Sequence, residues 1–167
     1  MSINIAKANQ GEFYPFKLNI KANNDILSDM LATFDSDIQV EGTYVVDKNN
    51  VYIDSELSYS IIFKCARCLD DVKKDFCVRC MASFYLDGEE AQENFYPYTN
   101  NVVDMTIPVM QEIILNLPTR VLCKEDCKGL CQVCGTNLNE KSCDCDKLQN
   151  QEIITPNNPF SVLKNLK

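Results

Sequence analysis

A cluster of cysteines near the end of the chain constrains the fold more than any other feature. Six cysteines lie between Cys123 and Cys145, and the chain contains no histidine. A tetrahedral zinc site with Zn–S bonds of about 2.3 Å needs its sulfur atoms roughly 3.8 Å apart. A Cys-x-x-Cys turn such as Cys131–Cys134 brings two sulfur atoms that close, and Gly135 can leave the turn with a positive φ. The cluster therefore favours a metal site over buried or disulfide-bonded cysteines.

The number of cysteines predicts two zinc sites. The first, which we call the C-terminal site, consists of Cys131, Cys134, Cys143 and Cys145. Two cysteines of the cluster are then left over, and an upstream Cys-x-x-Cys pair lacks two partners. Together they form the bridging site, which consists of Cys65, Cys68, Cys123 and Cys127. We expect Cys123 and Cys127 to share one face if that turn is helical. The bridging site would then tie the sheet to the C-terminal segment, so metal removal would loosen the tertiary structure.

Other uses of the cysteines stay open. Cys77 and Cys80 are also spaced as Cys-x-x-Cys, but positions three apart on a strand point to opposite faces, so we expect Cys80 in the core and Cys77 outside. A site made of Cys65, Cys68, Cys77 and Cys80 would require the strand to fold back across about 20 Å, and it ranks second. Thiolate sets also suit iron–sulfur clusters. The spacing Cys127-x3-Cys131-x2-Cys134 also occurs in radical enzymes that use an iron–sulfur cluster and S-adenosylmethionine. Those enzymes need a large barrel after the motif, and only 33 residues follow Cys134.

Alternating and helical patterns predict an α+β protein with a twisted antiparallel sheet and one main helix. Strands are predicted at 13–20, 38–46, 51–63 and 72–85, with a hairpin turn at 47–50 and an edge strand at 102–103. Helices are predicted at 25–34, at 106–117 with Asp104 or Thr106 as cap, and at 160–166. Residues 87–101 are predicted to form an acidic, irregular loop. We divide the chain into a sheet domain (1–118), a cysteine-rich metal-binding segment (119–148) and a tail (149–167).

Charge and hydropathy indicate where the protein works. Residues 1–7 lack a secretory pattern and no window of about 18 apolar residues occurs, so we expect a cytoplasmic protein without a membrane span. A net charge of −8 argues against a simple binder of nucleic acid. Residues 64–80 are the exception, with Lys64, Arg67, Lys73, Lys74 and Arg79 against three aspartates. These bases form the one plausible phosphate-facing surface.

Catalytic motifs are missing. Without histidine, a Ser–His or Cys–His nucleophile cannot form, and no Gly-x-x-x-x-Gly-Lys loop is present to bind phosphate. Zinc sites made of four cysteines leave no coordination position open and are structural as a rule. We therefore expect a protein that is not an enzyme.

Three sequence segments together point to a known family. They are Cys65-Ala-Arg-Cys68-Leu69, the run from Asp126 to Asn139 with Cys143-Asp-Cys145, and Asn158-Pro159-Phe160 in the tail. These segments resemble the YceD family, bacterial and plastid proteins described as large ribosomal RNA subunit accumulation proteins. The resemblance covers roughly residue 37 to the C-terminus and does not include Cys77 or Cys80 as ligands. It implies a cytoplasmic role in producing or stabilising the large-subunit (23S) ribosomal RNA.

We therefore predict a non-enzymatic factor in ribosome assembly that acts through a zinc-stabilised binding surface. Its partner would be a ribosomal protein or the precursor ribosomal RNA of the large subunit, and no small-molecule substrate is expected. The acidic balance of the chain favours a basic protein over naked RNA. The alternative functions are a zinc-thiolate redox sensor or holdase, and direct RNA binding through residues 64–80.

Overall fold

The structure of the chain, a computed structural model, describes residues 2–90 and 93–145. The predicted tail (149–167), with its helix at 160–166, lies outside these residues. Eight strands and one α-helix follow one another in the described part. The strands are β1 (Ser2–Asn4), β2 (Phe13–Ile20), β3 (Ala32–Phe34), β4 (Ile38–Asp47), β5 (Asn50–Lys64), β6 (Asp71–Leu86), β7 (Tyr96–Tyr98) and β8 (Val102–Asp104), and the helix is α1 (Thr106–Leu115).

The main sheet has six strands and is mostly antiparallel. Its order is β2-β4-β5-β6-β7, with β3 also paired to β5, while β1 and β8 form a separate antiparallel pair. The predicted hairpin is present as β4 and β5, which pair from Val46↔Val51 to Gln39↔Ser58. The antiparallel-rich sheet with one main helix confirms the predicted fold class.

Alternation along the long central strands decides which face of the sheet is buried. Val51, Ile53, Leu57, Tyr59, Ile61 and Phe63 of β5 all point into the core. Ser55 is buried on the same face, and the side chains at even-numbered positions of β5 lie on the opposite face, which we call the outer face. Helix α1 covers the core face, where it buries Val109 and Ile113. No helix in the described residues is both long enough and apolar enough to span a bilayer.

The predicted helix at 25–34 is wrong. A short 3₁₀ helix, Asn24–Met30, is followed by Leu31 at φ +51° and then by β3. The backbone of β3 pairs with β5, and the side chain of Asn24 accepts a hydrogen bond of 2.7 Å from the N–H of Phe34. These bonds at the sheet edge replace the last helical turns that the apolar spacing suggested.

The acidic loop and the main helix also differ from prediction. Residues 87–101 contain β7, which pairs parallel to β6 and buries Tyr98, so this stretch is not wholly irregular. Helix α1 ends at Leu115 and not at Leu117, with the N–H of Asn116 bonded back to Glu112. The N-cap residue is Met105, which makes no side-chain capping bond, and not Asp104 or Thr106 as predicted. Asp104 precedes it and accepts hydrogen bonds from the backbone N–H (2.9 Å) and the hydroxyl (2.7 Å) of Thr106.

Candidate metal centre

Two Cys-x-x-Cys turns with the same backbone geometry present the first pair of cysteines of each site. In the first, Leu69 N–H donates to Cys65 C=O (3.0 Å) and Cys65 N–H donates to Asp70 C=O (2.8 Å). In the second, the equivalent bonds join Gly135 to Cys131 and Cys131 to Thr136, each at 2.9 Å. The residue after the second cysteine takes a positive φ in both turns, +64° at Leu69 and +72° at Gly135.

The structure brings the four cysteines of the bridging site together. Their sulfur atoms all lie within 4.8 Å of one another. The Cys65 and Cys127 sulfurs are 3.8 Å apart, and those of Cys68 and Cys123 are 3.5 Å apart. These spacings match the roughly 3.8 Å of a four-thiolate tetrahedral site. The donor set therefore fits a metal ion.

The two halves of the bridging site come from distant parts of the chain. Cys65 and Cys68 lie in the turn between β5 and β6, whereas Cys123 and Cys127 follow α1. The predicted helical turn at Cys123 is absent, because residues 123–127 form a bent turn closed by a 3.2 Å bond from Cys127 N–H to Lys124 C=O. Ala66 N–H also donates to Val121 C=O at 2.8 Å, which joins the two halves through the backbone.

The C-terminal site has the same composition in a more open position. The sulfur atoms of Cys131, Cys134, Cys143 and Cys145 also lie within 4.8 Å of one another. In this site Cys131 is buried, Cys134 is exposed, and Cys143 and Cys145 are half-buried. In the bridging site three cysteines are buried and Cys123 is exposed. We therefore expect oxidants and chelators to reach the C-terminal site first.

In each site, hydrogen bonds favour the thiolate form of one or two cysteines, whereas the pKa values of Cys68, Cys123, Cys143 and Cys145 are raised. Burial raises the pKa of Cys65, but the backbone N–H groups of Cys68, Arg67 and Cys123 outweigh it and lower that pKa to about 6. The hydroxyl and the backbone N–H of Thr136 lower the pKa of Cys134 to about 6. A lowered thiol pKa reduces the competition between protons and a metal ion at neutral pH.

Arg67 connects the two sites in a way that the cysteine pattern did not reveal. Its guanidinium donates to Cys127 C=O at 2.7 Å, and its own carbonyl accepts from Leu130 N–H at 3.0 Å. Gly129, at φ +78°, passes so close that an added Cβ would lie 3.1 Å from the Arg67 carbonyl oxygen. Arg67 was predicted only as part of a basic surface, because a backbone-bridging arginine leaves no periodic signal.

Cys77 and Cys80 take no part in either group of four. Cys80 is buried in the core and Cys77 is exposed on the outer face of β6, as strand alternation predicted. The buried hydroxyl of Ser55 donates to the Cys80 carbonyl at 3.0 Å. Burial raises the pKa of the Cys80 thiol to about 11, so this side chain is a neutral core residue at pH 7.

Comparison with known proteins places these features in a family context. An uncharacterized protein of Mycobacterium tuberculosis is 32% identical over 118 residues, which cover 68% of this chain and 55% of the relative. A chloroplastic protein of Zea mays named large ribosomal RNA subunit accumulation protein YCED homolog 1 is 30% identical over 88 residues, or 52% of this chain and 30% of the relative. The Arabidopsis thaliana protein of the same name is 31% identical over 52 residues, which cover 31% of this chain and 16% of that protein.

The chain spans about half the length of its mycobacterial relatives. No solved structure matches it. Residues 53–167 match the family model described as "Large ribosomal RNA subunit accumulation protein YceD", and this range contains all eight predicted ligands. The match covers more than half of the chain, and the chain therefore belongs to the YceD family.

Proposed function

We propose that this protein is a non-enzymatic, cytoplasmic factor in the accumulation or processing of 23S ribosomal RNA and in ribosome assembly. The match of residues 53–167 to the YceD family carries this proposal, because the family's description names accumulation of the large ribosomal RNA subunit. Two zinc ions, one at each site, would stabilise the binding surface. Eight of the ten cysteines lie in two groups of four, as expected of metal ligands in a reducing compartment.

The arrangement of the metal sites supports a structural role. Each group offers four sulfur ligands, which is a complete tetrahedral set for zinc and leaves no position for a substrate or an activated water molecule. When bound, the ion would act as a cross-link between chain segments. The residues around it favour the thiolates of Cys65 and Cys134 through backbone N–H groups.

Ion pairs support a protein partner over RNA. Three of the five bases between residues 64 and 80 are paired with aspartates: Lys64 with Asp71 at 2.6 Å, Lys73 with Asp35 at 2.5 Å, and Arg79 with Asp54 at 2.7 Å. Arg67 is engaged by a backbone carbonyl. Phosphate groups would have to displace these partners, which weakens the case for direct RNA binding there.

An apolar patch on the outer face offers a surface for a protein partner. Phe13 and Met81 are 73% and 70% exposed, and with Tyr52 they line a shallow depression of about 250 Å³. Phe95 packs edge-on against Tyr52, with ring centroids 5.9 Å apart. Exposed apolar side chains grouped in this way are typical of binding sites. We call Phe13, Tyr52 and Met81 the sheet patch.

Several acidic residues are close to the sheet patch in the sequence or line its depression. Glu12 precedes Phe13, Asp47 ends β4, Asp54 lines the depression, and Asp87 follows β6, against Lys48 and Arg79. This charge complements a basic polypeptide that inserts an apolar side chain, and not a nucleic acid. We therefore propose that the sheet patch binds a basic protein of the large subunit.

Site-specific photo-cross-linking tests this partner. A photoreactive amino acid at position 81 should cross-link in growing cells to a ribosomal polypeptide in which Lys and Arg exceed Asp and Glu, and Phe13→Asp should abolish the product. Gln39→Asp, on the same face of β4, should leave it unchanged. A cross-link to RNA or to a second copy of this chain would contradict the proposal.

Depletion of the protein tests the assembly role. Loss of the protein should lower the ratio of 23S to 16S ribosomal RNA and reduce large-subunit particles in sucrose gradients. The wild-type gene should restore both, and a Cys68→Ser, Cys127→Ser variant should not. Normal large-subunit particles in depleted cells would overturn the proposed function.

The open position of Cys134 favours a second candidate function, a zinc-thiolate redox sensor or holdase. An exposed thiol of lowered pKa is accessible to oxidants. This function predicts that micromolar hydrogen peroxide releases zinc from the C-terminal site and thereby changes chaperone activity. Zinc that stays bound under peroxide would leave only the structural role.

A further inference from the structure

The loop that carries the C-terminal site also contacts the sulfur of a bridging-site cysteine. Asn139 lies between Cys134 and Cys143 in the chain, and its side-chain Nδ2 donates to the Cys127 sulfur at 3.3 Å. Asn139 is half-buried there. The contact is an N–H···S bond from the loop of one predicted metal site to a ligand of the other.

The orientation of the Asn139 amide is fixed by its remaining bonds. Its Oδ1 accepts from the backbone N–H of Lys128 at 2.9 Å, a group that can only donate. Nδ2 also donates to Oδ1 of Asn137 at 2.9 Å. The donor must therefore face the Cys127 sulfur, where it stabilises negative charge on the thiolate.

Asn137 makes a second link between the same loop and the bridging site. Its Nδ2 lies 3.2 and 3.3 Å from the two carboxylate oxygens of Asp70, which follows the Cys65–Cys68 turn. Its Oδ1 accepts from both the backbone and the side chain of Asn139. In the backbone, Leu138 N–H donates to Gly129 C=O at 2.9 Å. The loop is thus bonded to the bridging site from both sides.

We propose that Asn139, placed by the loop between Cys134 and Cys143, is an outer-sphere positioning residue of the bridging site, so that metal binding at the C-terminal site strengthens metal binding at the bridging site. This inference rests on the proposed metal binding at both sites. Closing the C-terminal site fixes both ends of the loop and holds the Asn139 donor against the Cys127 sulfur. Outer-sphere partners of metal ligands typically change affinity by about 10- to 100-fold.

Linkage makes the effect reciprocal. If metal at the C-terminal site raises the affinity of the bridging site by a given factor, metal at the bridging site raises the affinity of the C-terminal site by the same factor. The bridging site, of which three cysteines are buried, thereby responds to chemistry at the more exposed C-terminal site. Chelation or oxidation at Cys134 would weaken both.

Zinc competition against a chromophoric chelator, on the full-length reduced protein, tests the coupling. Asn139→Ala should retain two zinc ions at saturation and weaken the bridging site about 10- to 100-fold. Glu140→Ala, an exposed neighbour in the same loop, should match the wild type. A Cys134→Ser, Cys143→Ser variant, which lacks the C-terminal site, should weaken the bridging site similarly, and Asn139→Ala added to it should have little further effect.

The outcomes separate the inference from the proposed metal binding. Bridging-site affinity that is equal in Asn139→Ala and Glu140→Ala would overturn the coupling while leaving two zinc sites in place. The coupling would also be overturned if Asn139→Ala weakened both sites equally while removal of the cysteines of one site left the zinc affinity of the other unchanged. That result would indicate a merely structural loop. A wild-type protein that takes up no zinc would overturn the metal sites themselves.

Discussion

Leu69 and Gly135 occupy the same position in two turns of the same shape, yet only one of them is glycine. Both take a positive φ, which costs an L-residue roughly 1–2 kcal/mol. Leu69 is 54% exposed, so little packing compensates for the strain. The bridging site therefore includes a turn that its sequence does not favour, and its other contacts must hold that turn.

This difference predicts opposite effects of two substitutions. Gly135→Ala should lower the free energy of unfolding by about 1 kcal/mol, because an added Cβ meets no neighbour but is strained at φ +72°. Leu69→Gly should be neutral or stabilising by up to about 1 kcal/mol, since the relief of strain is partly offset by a more flexible unfolded chain. Denaturant titration of the zinc-loaded protein measures both. Equal destabilisation by the two changes would contradict the shared-turn description.

Asp104, just before α1, makes a pH-dependent contribution to the stability of the fold. Burial raises the pKa of its carboxyl, but hydrogen bonds from the hydroxyl and N–H of Thr106 outweigh burial and hold that pKa below its ordinary value. A carboxyl with a depressed pKa in the folded state stabilises the fold above the unfolded pKa, near 4, and loses this effect as the pH falls through the folded value.

Asp104→Ala should therefore lower the free energy of unfolding by about 1 kcal/mol at pH 7, because two hydrogen bonds from Thr106 to the carboxylate are lost. The difference between variant and wild type should shrink as the pH falls below about 4, where the wild-type carboxyl also becomes protonated. Urea titrations at pH 7 and at pH 3 measure it. If the variant lost the same free energy of unfolding at pH 7 and at pH 3, the charge of Asp104 would contribute nothing to stability.

Strands β4 and β5 approach so closely at Gly42 that no side chain fits there. A Cβ at this position would lie 2.2 Å from the Asp54 carbonyl oxygen and 2.6 Å from the Ser55 Cα, both of them backbone atoms. Gly42 faces Ser55 across the ladder, and Ser55 in turn bonds to the carbonyl of Cys80. The contact joins three central strands.

Gly42→Ala should therefore destabilise the protein at the upper end of the roughly 1–3 kcal/mol expected for overpacking, because backbone cannot move aside as a side chain can. Thr43→Ala, the exposed neighbour on the same strand, should stay within about 1 kcal/mol of wild type. Thermal or chemical unfolding distinguishes them. A Gly42→Ala protein as stable as Thr43→Ala would contradict the close strand approach.

The predictability of each element followed the length of its pattern. The strands β4, β5 and β6 alternate over ten or more residues, so one register buries most of their apolar side chains, and their predicted positions agree with the structure. Residues 25–34 have helical spacing over only three turns. There, backbone pairing of Ala32 to Phe63 and the Asn24 side chain outweigh the weak helical preference.

The candidate site shows the same division between strong and weak signals. Counting cysteines led to the two groups of four that the structure brings together, although Cys65 and Cys127 are 62 positions apart. The contacts of Arg67 and Asn139 were missed. Both contact Cys127 through side-chain hydrogen bonds, and such bonds leave no spacing that a single sequence reveals.

At the scale of the whole molecule, the bridging site determines how the sheet and the C-terminal segment are joined. Cys65 and Cys68 lie at the end of the β5–β6 hairpin, and Cys123 and Cys127 lie beyond α1. The sheet has its own apolar core, whereas the cysteine-rich segment buries mainly thiols and a few apolar side chains. A metal ion would therefore stabilise chiefly the segment and its attachment to the sheet.

Elemental analysis of protein purified under reducing conditions tests this account most directly. The account predicts two zinc ions per chain, one after Cys68→Ser and one after Cys134→Ser, with Cys77→Ser as the control that keeps both. Zinc content that Cys68→Ser leaves unchanged would contradict the bridging site. Iron with a brown chromophore would contradict the zinc assignment at both sites.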